Sequence, residues 1–501
     1  MSEEKKVSVL VQWRRRYRGG YDAVTMVLYI ALVYVWALGI GPLGRDFALM
    51  AEPERLPRIV RALWEVELKI FGANATPYLL LNLLLLYACM LLIYRLTNRA
   101  VQGPWWLGTL AALFFMANPV HSEAVLNLSG STDLFPALLG LGALVAYAEV
   151  AVGASAWKWA LALALFAIAA LASPMNAGLI FIILLWEILI VEPGARSWKR
   201  PLPFATLALA GIVHFWPLLS AADHRFSNLF APVYFVAYPL GFLPESAQRF
   251  HEHPWTGWVA AFAALAVATL IYWKARRRAI LFGILAMLAI RFYPGDRMID
   301  PVHLIGGGQL LLPTVFFNIA LVTVFFRMMD HPRWRLPVVS GTTLIVIVFF
   351  CMMIRSELAW RTASEQVKAF QAEAVKAGEP IGVLPDYRYF RTAPVCLSES
   401  IQHDTPFSTR VPHESLLALH QLHATPLHKT KIRTEAAQWS DDKVKLWIDC
   451  ATLREAAPWP YDLLRSSKTE GAACVVEVEP KSGALPRKTL PLTPPADAPV
   501  P

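Results

Sequence analysis

The apolar positions of this chain come in long unbroken runs, such as Leu83–Ile93 and Val338–Ile354. A helix crossing about 30 Å of hydrocarbon needs such a run, because lipid offers the backbone no hydrogen-bond partner except its own carbonyls. A strand of an outer-membrane barrel would alternate with period two, and these runs do not. The pattern predicts about eleven spans, near residues 23–41, 76–95, 105–118, 133–152, 158–173, 177–192, 203–221, 256–273, 279–292, 311–328 and 336–354.

The polar positions between the runs orient the bundle. Arg14, Arg15, Arg16 and Arg18 precede the first run, and no small-residue cleavage site follows it, so it reads as an uncleaved first span. With the N-terminus in the cytoplasm, the cytoplasmic loops hold Arg95 and Arg99, then Lys158, then Arg196, Lys199 and Arg200. Lys274, Arg276, Arg277 and Arg278 follow, and last Arg327, Arg333 and Arg335. The outer side receives loop 42–75, the short loop 119–132, the turn 173–176, loop 222–255, loop 293–310 and the tail from 355. Within 54–71, Leu56, Ile59, Val60, Leu63, Trp64 and Ile70 recur at helical spacing among Arg55, Arg58, Arg61, Glu65 and Lys69. That pattern predicts a helix along the membrane surface.

The tail opens with a polar helical stretch, Ser356–Ala377. Strands are predicted at Ile381–Leu384, Lys443–Ile448 and Ala473–Val478, enough for a small α+β domain. The division expected is a basic cytoplasmic end (1–22), a transmembrane domain (23–354), an extracytoplasmic α+β domain (355–479) and a Pro-rich disordered tail (480–501).

Composition narrows the class. Of 501 residues, 56% are hydrophobic and 17% charged, which excludes a soluble enzyme, a disordered chain and a disulfide-built secreted module. The net charge of +9 sits in short loops between spans, so it signals membrane orientation and no nucleic-acid partner. Cys89 and Cys351 fall inside apolar runs and read as inert core thiols. Cys396, Cys450 and Cys474 allow at most one bridge, with no spacing for metal or haem.

Ionisable groups at the outer membrane edge carry the candidate chemistry. Asp46, directly after the first span, can act as general base on a hydroxyl or help hold a divalent cation. It can equally cap a helix or pair with Arg45. The segment Asn118–Asp133 puts His121, Glu123 and Asp133 in a short loop between two spans. His121 and Glu123 share a side only if the loop is extended, and otherwise such groups cap the flanking helices.

The sequence Asn118-Pro-Val-His-Ser-Glu-Ala-Val-Leu-Asn-Leu-Ser-Gly-Ser-Thr-Asp133 resembles the pattern [HN]-P-x-H-x-E-A-V-x-x-I-x-G-R-x-D of multi-pass GT-C glycosyltransferases. The similar branch is the protein O-mannosyltransferase-like one, with the transmembrane-and-TPR mannosyltransferases and their bacterial relatives. Leu68–Leu85 with Phe71-Gly72 and Asn82, Leu310–Phe317, and Trp360 with Ile381–Asp386 resemble further stretches in order. The resemblance implies an all-α polytopic GT-C-like bundle with a small C-terminal α+β domain outside the plasma (inner) membrane. It implies transfer of a sugar from a polyprenyl-phosphate carrier to an outer hydroxyl acceptor, with Asp46 as base. His121, Glu123, Asp133, Arg249 and Arg297 are then the candidate substrate-binding residues, the arginines for the carrier phosphate, with a divalent metal ion as a further candidate.

The departures from the pattern are as specific. Arg45 stands where a second acid is common, and Ser131 where the motif has Arg. Ser173-Pro174-Met175-Asn176 replaces a Ser-Lys-Glu-Asn stretch. Gly307-Gly308 or Gly308-Gln309 replaces a Glu-Arg pair, and Leu79 and the region of Leu86 replace histidines. Removing one preorganised electrostatic group from a catalytic site costs about 2.7–4 kcal/mol. The alternative expectation is therefore a catalytically lapsed member of the fold, kept as a scaffold or as an accessory subunit among membrane-protein partners.

Overall fold

The computed structural model describes residues 22–216 apart from positions 44, 52, 152 and 154, then residues 278–291 and 307–377, and six strands of the tail. The expected span 256–273, the loop 222–255, the strand Ile381–Leu384 and the Pro-rich end lie outside the described residues.

The bundle is helical throughout, as its runs require. The helices are α1 (Asp22–Gly39), α2 (Arg45–Ala51), α3 (Arg58–Phe71), α4 (Ala75–Val101), α5 (Trp106–Ala117), α6 (Ser122–Leu126), α7 (Ser131–Ala151) and α8 (Ala156–Ala172). After them come α9 (Pro174–Ala177), α10 (Leu179–Leu185), α11 (Leu202–His214), α12 (Arg278–Arg291), α13 (Leu311–Met329) and α14 (Pro332–Ala377). Among the described residues, five helical stretches are long and apolar enough to cross a membrane, and five shorter apolar ones accompany them. The chain is an all-α polytopic membrane protein in this part. It divides into two compact units. One holds residues 1–38 and 54–357, the other residues 39–53 and 358–501.

In the first unit α7 and α13 are the central helices, and α1 and α14 present most of their apolar side chains outward. Leu336 on α14 is 76% exposed and Leu28 on α1 is 64% exposed. Side chains facing lipid gain nothing by helix association, so packing and polar contacts hold such a bundle. Aromatic edges supply much of that packing. Phe204 receives Tyr147, Trp159 and Phe166, and Phe282 lies between Trp186 and Phe316. Cys351 lies on the exposed face of α14, a correction to its reading as a core thiol, whereas Cys89 is buried. A thiol on a helix face directed away from the bundle is inside an apolar run without being inside a core.

One end of the unit is ionic. Glu149 at the end of α7 accepts from Arg99 of α4 at 2.7 Å and from Lys158 of α8 at 3.2 Å. Glu187, within the π-type turn that continues α10, accepts from Tyr147 at 2.6 Å and from Arg200 at 3.3 Å. These contacts gather the ends of α4, α7 and α10 with the starts of α8 and α11.

At the other end, α3 forms as its spacing predicts. Val60, Trp64 and Glu67 make its buried face, and Arg61 pairs with Glu65 on its outer one. Tyr78 of α4 packs on Trp64 and Phe71, and its hydroxyl donates to the Gly72 carbonyl at 3.0 Å. Asn74 caps α4 by accepting from the Thr76 N–H.

The second unit joins residues 39–53 to the far part of α14 and the tail strands. The Gly41 N–H donates to Ser364 Oγ at 2.7 Å. β1 (Tyr387–Phe390) and β2 (Ala393–Cys396) pair antiparallel, Tyr387 opposite Cys396. β3 (Thr434–Trp439), β4 (Val444–Asp449), β5 (Lys468–Glu470) and β6 (Ala473–Val478) form one antiparallel sheet in the order β3-β4-β6-β5. The sequence-predicted strands at Lys443–Ile448 and Ala473–Val478 are β4 and β6. Ser356–Ala377 is helical as read, in unbroken continuation of the preceding span.

Candidate functional site

The segment between α5 and α7 is a stack of tight turns. Asn118 closes α5 and accepts from the Val120 N–H at 3.1 Å, with Pro119 at the first position of a 3-10 turn where its missing N–H costs nothing. Ser122 donates to the Pro119 carbonyl and Thr132 to the Ser129 carbonyl, each at 2.7 Å. From Pro119 to Thr132 every residue is buried. The short outer loop expected from the sequence is therefore interior. A buried loop must satisfy its backbone internally. Here Asn82 of α4 does part of that work, donating to the carbonyls of Val125 at 3.3 Å and Asn127 at 2.6 Å. Gly130 makes this approach possible, since a Cβ there would sit 2.2 Å from the Ala124 carbonyl oxygen and 2.7 Å from Asn82 Nδ2.

The motif residues are held differently from one another. His121 is fully buried, its ring 4.5 Å from that of Phe115, and neither ring nitrogen has a hydrogen-bond partner among the described residues. Burial pushes its pKa down to about 3, so the imidazole is neutral. Glu123 is also buried, in the first turn of α6. Helical turns rather than extended chain join the two, so residues two apart point about 200° apart around the axis and do not share a side. Asp133, in the first turn of α7, is half-buried and lines a narrow cleft of about 50 Å³.

That cleft gathers positions far apart in the chain. Asp133 and Thr132 are joined there by Ser173, Pro174, Met175 and Asn176, by Gly308 and Gln309, and by Leu56, Pro57 and Val60 at the start of α3. Asn176 is fixed by its amide, which donates to the carbonyls of Pro136 and Ala169, each at 3.0 Å. Gly308 lies under Asp133, where a Cβ would come within 2.5 Å of the carboxyl carbon. Two of the stretches where the resemblance pattern carries charges, residues 173–176 and 308–309, thus share one cleft wall with Asp133. They present proline, methionine, glycine and amide groups.

Glu67 escaped the sequence reading. It is 3% exposed, and one carboxylate oxygen accepts from Ser131 Oγ at 2.8 Å while Oε1 has no partner among the described residues. Burial raises its pKa to about 7, and the Ser131 hydrogen bond opposes the rise. The signal was its place seven residues after Val60 and three after Trp64, which puts a carboxylate on the apolar stripe of α3.

Asp46 stands in the first turn of α2, 1% exposed, within the second unit. Its Oδ2 accepts from the Leu43 N–H at 3.0 Å, and its own N–H donates to the Leu43 carbonyl at 2.9 Å. Arg249 and Arg297 lie outside the described residues. No three of His, Cys, Asp and Glu converge as metal ligands among the described residues, and the neutral His121 stands apart from any such set.

Residues 57–220 match the family model described as dolichyl-phosphate-mannose-protein mannosyltransferase. The stretch includes α3 through α11, hence Glu67, the buried turns, Asp133 and most of the cleft, and the chain is mannosyltransferase-like over it. No curated protein and no solved structure matches the chain.

Proposed function

We propose that this chain is a GT-C-type membrane glycosyltransferase that moves a sugar from a polyprenyl-phosphate carrier to a hydroxyl acceptor on the outer side. The observation that supports it best is the 57–220 match, which contains the interior turns that deliver Asp133 to the cleft. In the reaction the acceptor oxygen bonds to the anomeric carbon as the bond from that carbon to the carrier phosphate breaks. The hydroxyl proton passes to a carboxylate, and the polyprenyl phosphate leaves with the electron pair. Asp46 takes the base role by resemblance, with its carboxylate oriented by the Leu43 N–H. Asp133 suits a sugar hydroxyl, and Arg249 and Arg297 suit the carrier phosphate.

A specific observation favours a second reading, a lapsed member of the fold acting as scaffold or accessory subunit. The cleft wall carries Pro174, Met175, Gly308 and Gln309 in place of the pattern's charges, and its volume of about 50 Å³ is well below the roughly 300–1,000 Å³ of ligand pockets.

The deciding assay is sugar transfer by purified full-length protein from polyprenyl-phosphate-linked hexoses to a hydroxyl acceptor. Donor-dependent transfer that falls about 100-fold in Asp46→Asn supports the enzyme with Asp46 as base. Transfer unaffected by Asp46→Asn moves the base elsewhere and leaves the class standing. No transfer from any donor, with stable co-purification of other membrane proteins, establishes the scaffold instead.

A further inference from the structure

At the ionic end of the first unit, a groove of about 370 Å³ runs between α1 and α4. Its apolar lining includes Met26 of α1, Ala88, Leu91 and Leu92 of α4 and Leu138 of α7, with Asp22, Tyr94 and Arg95 as its polar groups. That size falls in the range of pockets that hold small molecules, and Ala88, Leu91, Leu92 and Leu138 of its lining are half-buried while Met26 is buried.

Depth places the polar groups. Arg95 lies twenty residues beyond Ala75 on α4, about 30 Å of helix, which is the thickness of the hydrocarbon layer. Its guanidinium therefore stands at headgroup level, with the apolar lining running back into the acyl region. The charges are distinctive. Arg99, Lys158 and Arg200 at this end are each paired with Glu149 or Glu187, whereas Arg95 is exposed and has no ion-pair partner among the described residues. Asp22, the first described residue of α1, contributes a carboxylate to the same groove.

A ligand complementary to this arrangement has an acyl chain, a phosphate and a cationic donor. We propose that the groove is a binding site for a glycerophospholipid with a phosphoethanolamine headgroup. Its phosphate lies on Arg95 and its primary ammonium on Asp22, whose carboxylate accepts more than one donor. One acyl chain lies along Met26, Ala88, Leu91 and Leu92. A quaternary choline headgroup lacks the N–H donors that Asp22 reads, and a glycerol headgroup lacks the positive charge. The groove shares no lining residue with the Asp133 cleft and is independent of the glycosyltransferase reading.

The test is lipid retention by native mass spectrometry of the full chain, equilibrated with mixed vesicles of equal phosphatidylethanolamine, phosphatidylcholine and phosphatidylglycerol. Phosphatidylethanolamine should be retained about fivefold over each competitor, the worth of one charge at a membrane surface. Arg95→Gln should lower retention of all three lipids, while Asp22→Asn should abolish the preference over phosphatidylglycerol alone. Arg95→Lys and Asp22→Glu keep the charges and should keep the preference, which separates lost recognition from lost folding. Equal retention of the three lipids by the native chain would overturn the proposal. So would a preference that persists unchanged in both neutral variants.

Discussion

Glu67 and His121 are buried ionisable residues outside the spans with opposite pH signatures. Glu67 ionises near 7 when folded against 4.5 for the free group, so the folded state holds the proton longer. Its burial is harmless at low pH and costs stability progressively from pH 4.5 to about 7, on the order of 3 kcal/mol in all. Glu67→Gln keeps an acceptor for Ser131 and removes the titration. Thermal unfolding in detergent should show it more stable than the native chain at pH 8 and equal to it at pH 4. A variant no more stable at pH 8 would show that the carboxylate is solvated in the folded protein. His121 runs the other way. The unfolded imidazole takes a proton near 6.5, and the folded one refuses it down to about 3, so stability is lost as pH falls through that window. His121→Phe should flatten the acid side of the profile without lowering stability at pH 7, since it also deletes two unpaired ring nitrogens.

The interior turns between α5 and α7 make their own predictions as an element. They stand in place because Asn82 satisfies two of their carbonyls and Gly130 allows it to come close. Gly130→Ala forces a Cβ against the Ala124 carbonyl and should destabilise by about 1–3 kcal/mol. Asn82→Leu leaves the Val125 and Asn127 carbonyls without that donor and should cost about 2 kcal/mol. The readout for both is thermal unfolding in detergent. The resemblance motif marked this segment in the sequence, but its polar letters suggested an exposed loop. Burial was hidden because Asn118, Ser122 and Thr132 spend their polar groups on neighbouring backbone, a use that composition does not reveal.

For the molecule as a whole, the testable matter is orientation. The positive-inside pattern expects Asn74 on the outer side and Gly194, between α10 and α11, in the cytoplasm. Cysteines at these two positions, in a chain with the native thiols removed, should be labelled by an impermeant maleimide from opposite sides. Labelling of both from one side would break the alternation of spans between them. The same bundle carries two chemically different ends, an ion-paired one around Glu149 and Glu187 and a nearly charge-free cleft around Asp133.

Helices and their membrane character were readable along the chain because each depends on a local run of apolar residues and on a backbone that must bond to itself. Strands β4 and β6 were readable for a similar local reason. The convergence of residues 133, 173–176 and 308–309 on one cleft was not, since it arises from the packing of α7, α9 and α13 across more than a hundred residues. Nor was the pairing of Glu67 with Ser131, or the covering of His121. Proximity of distant side chains is set by how helices pack, and a hydrophobic run is equally compatible with many neighbours.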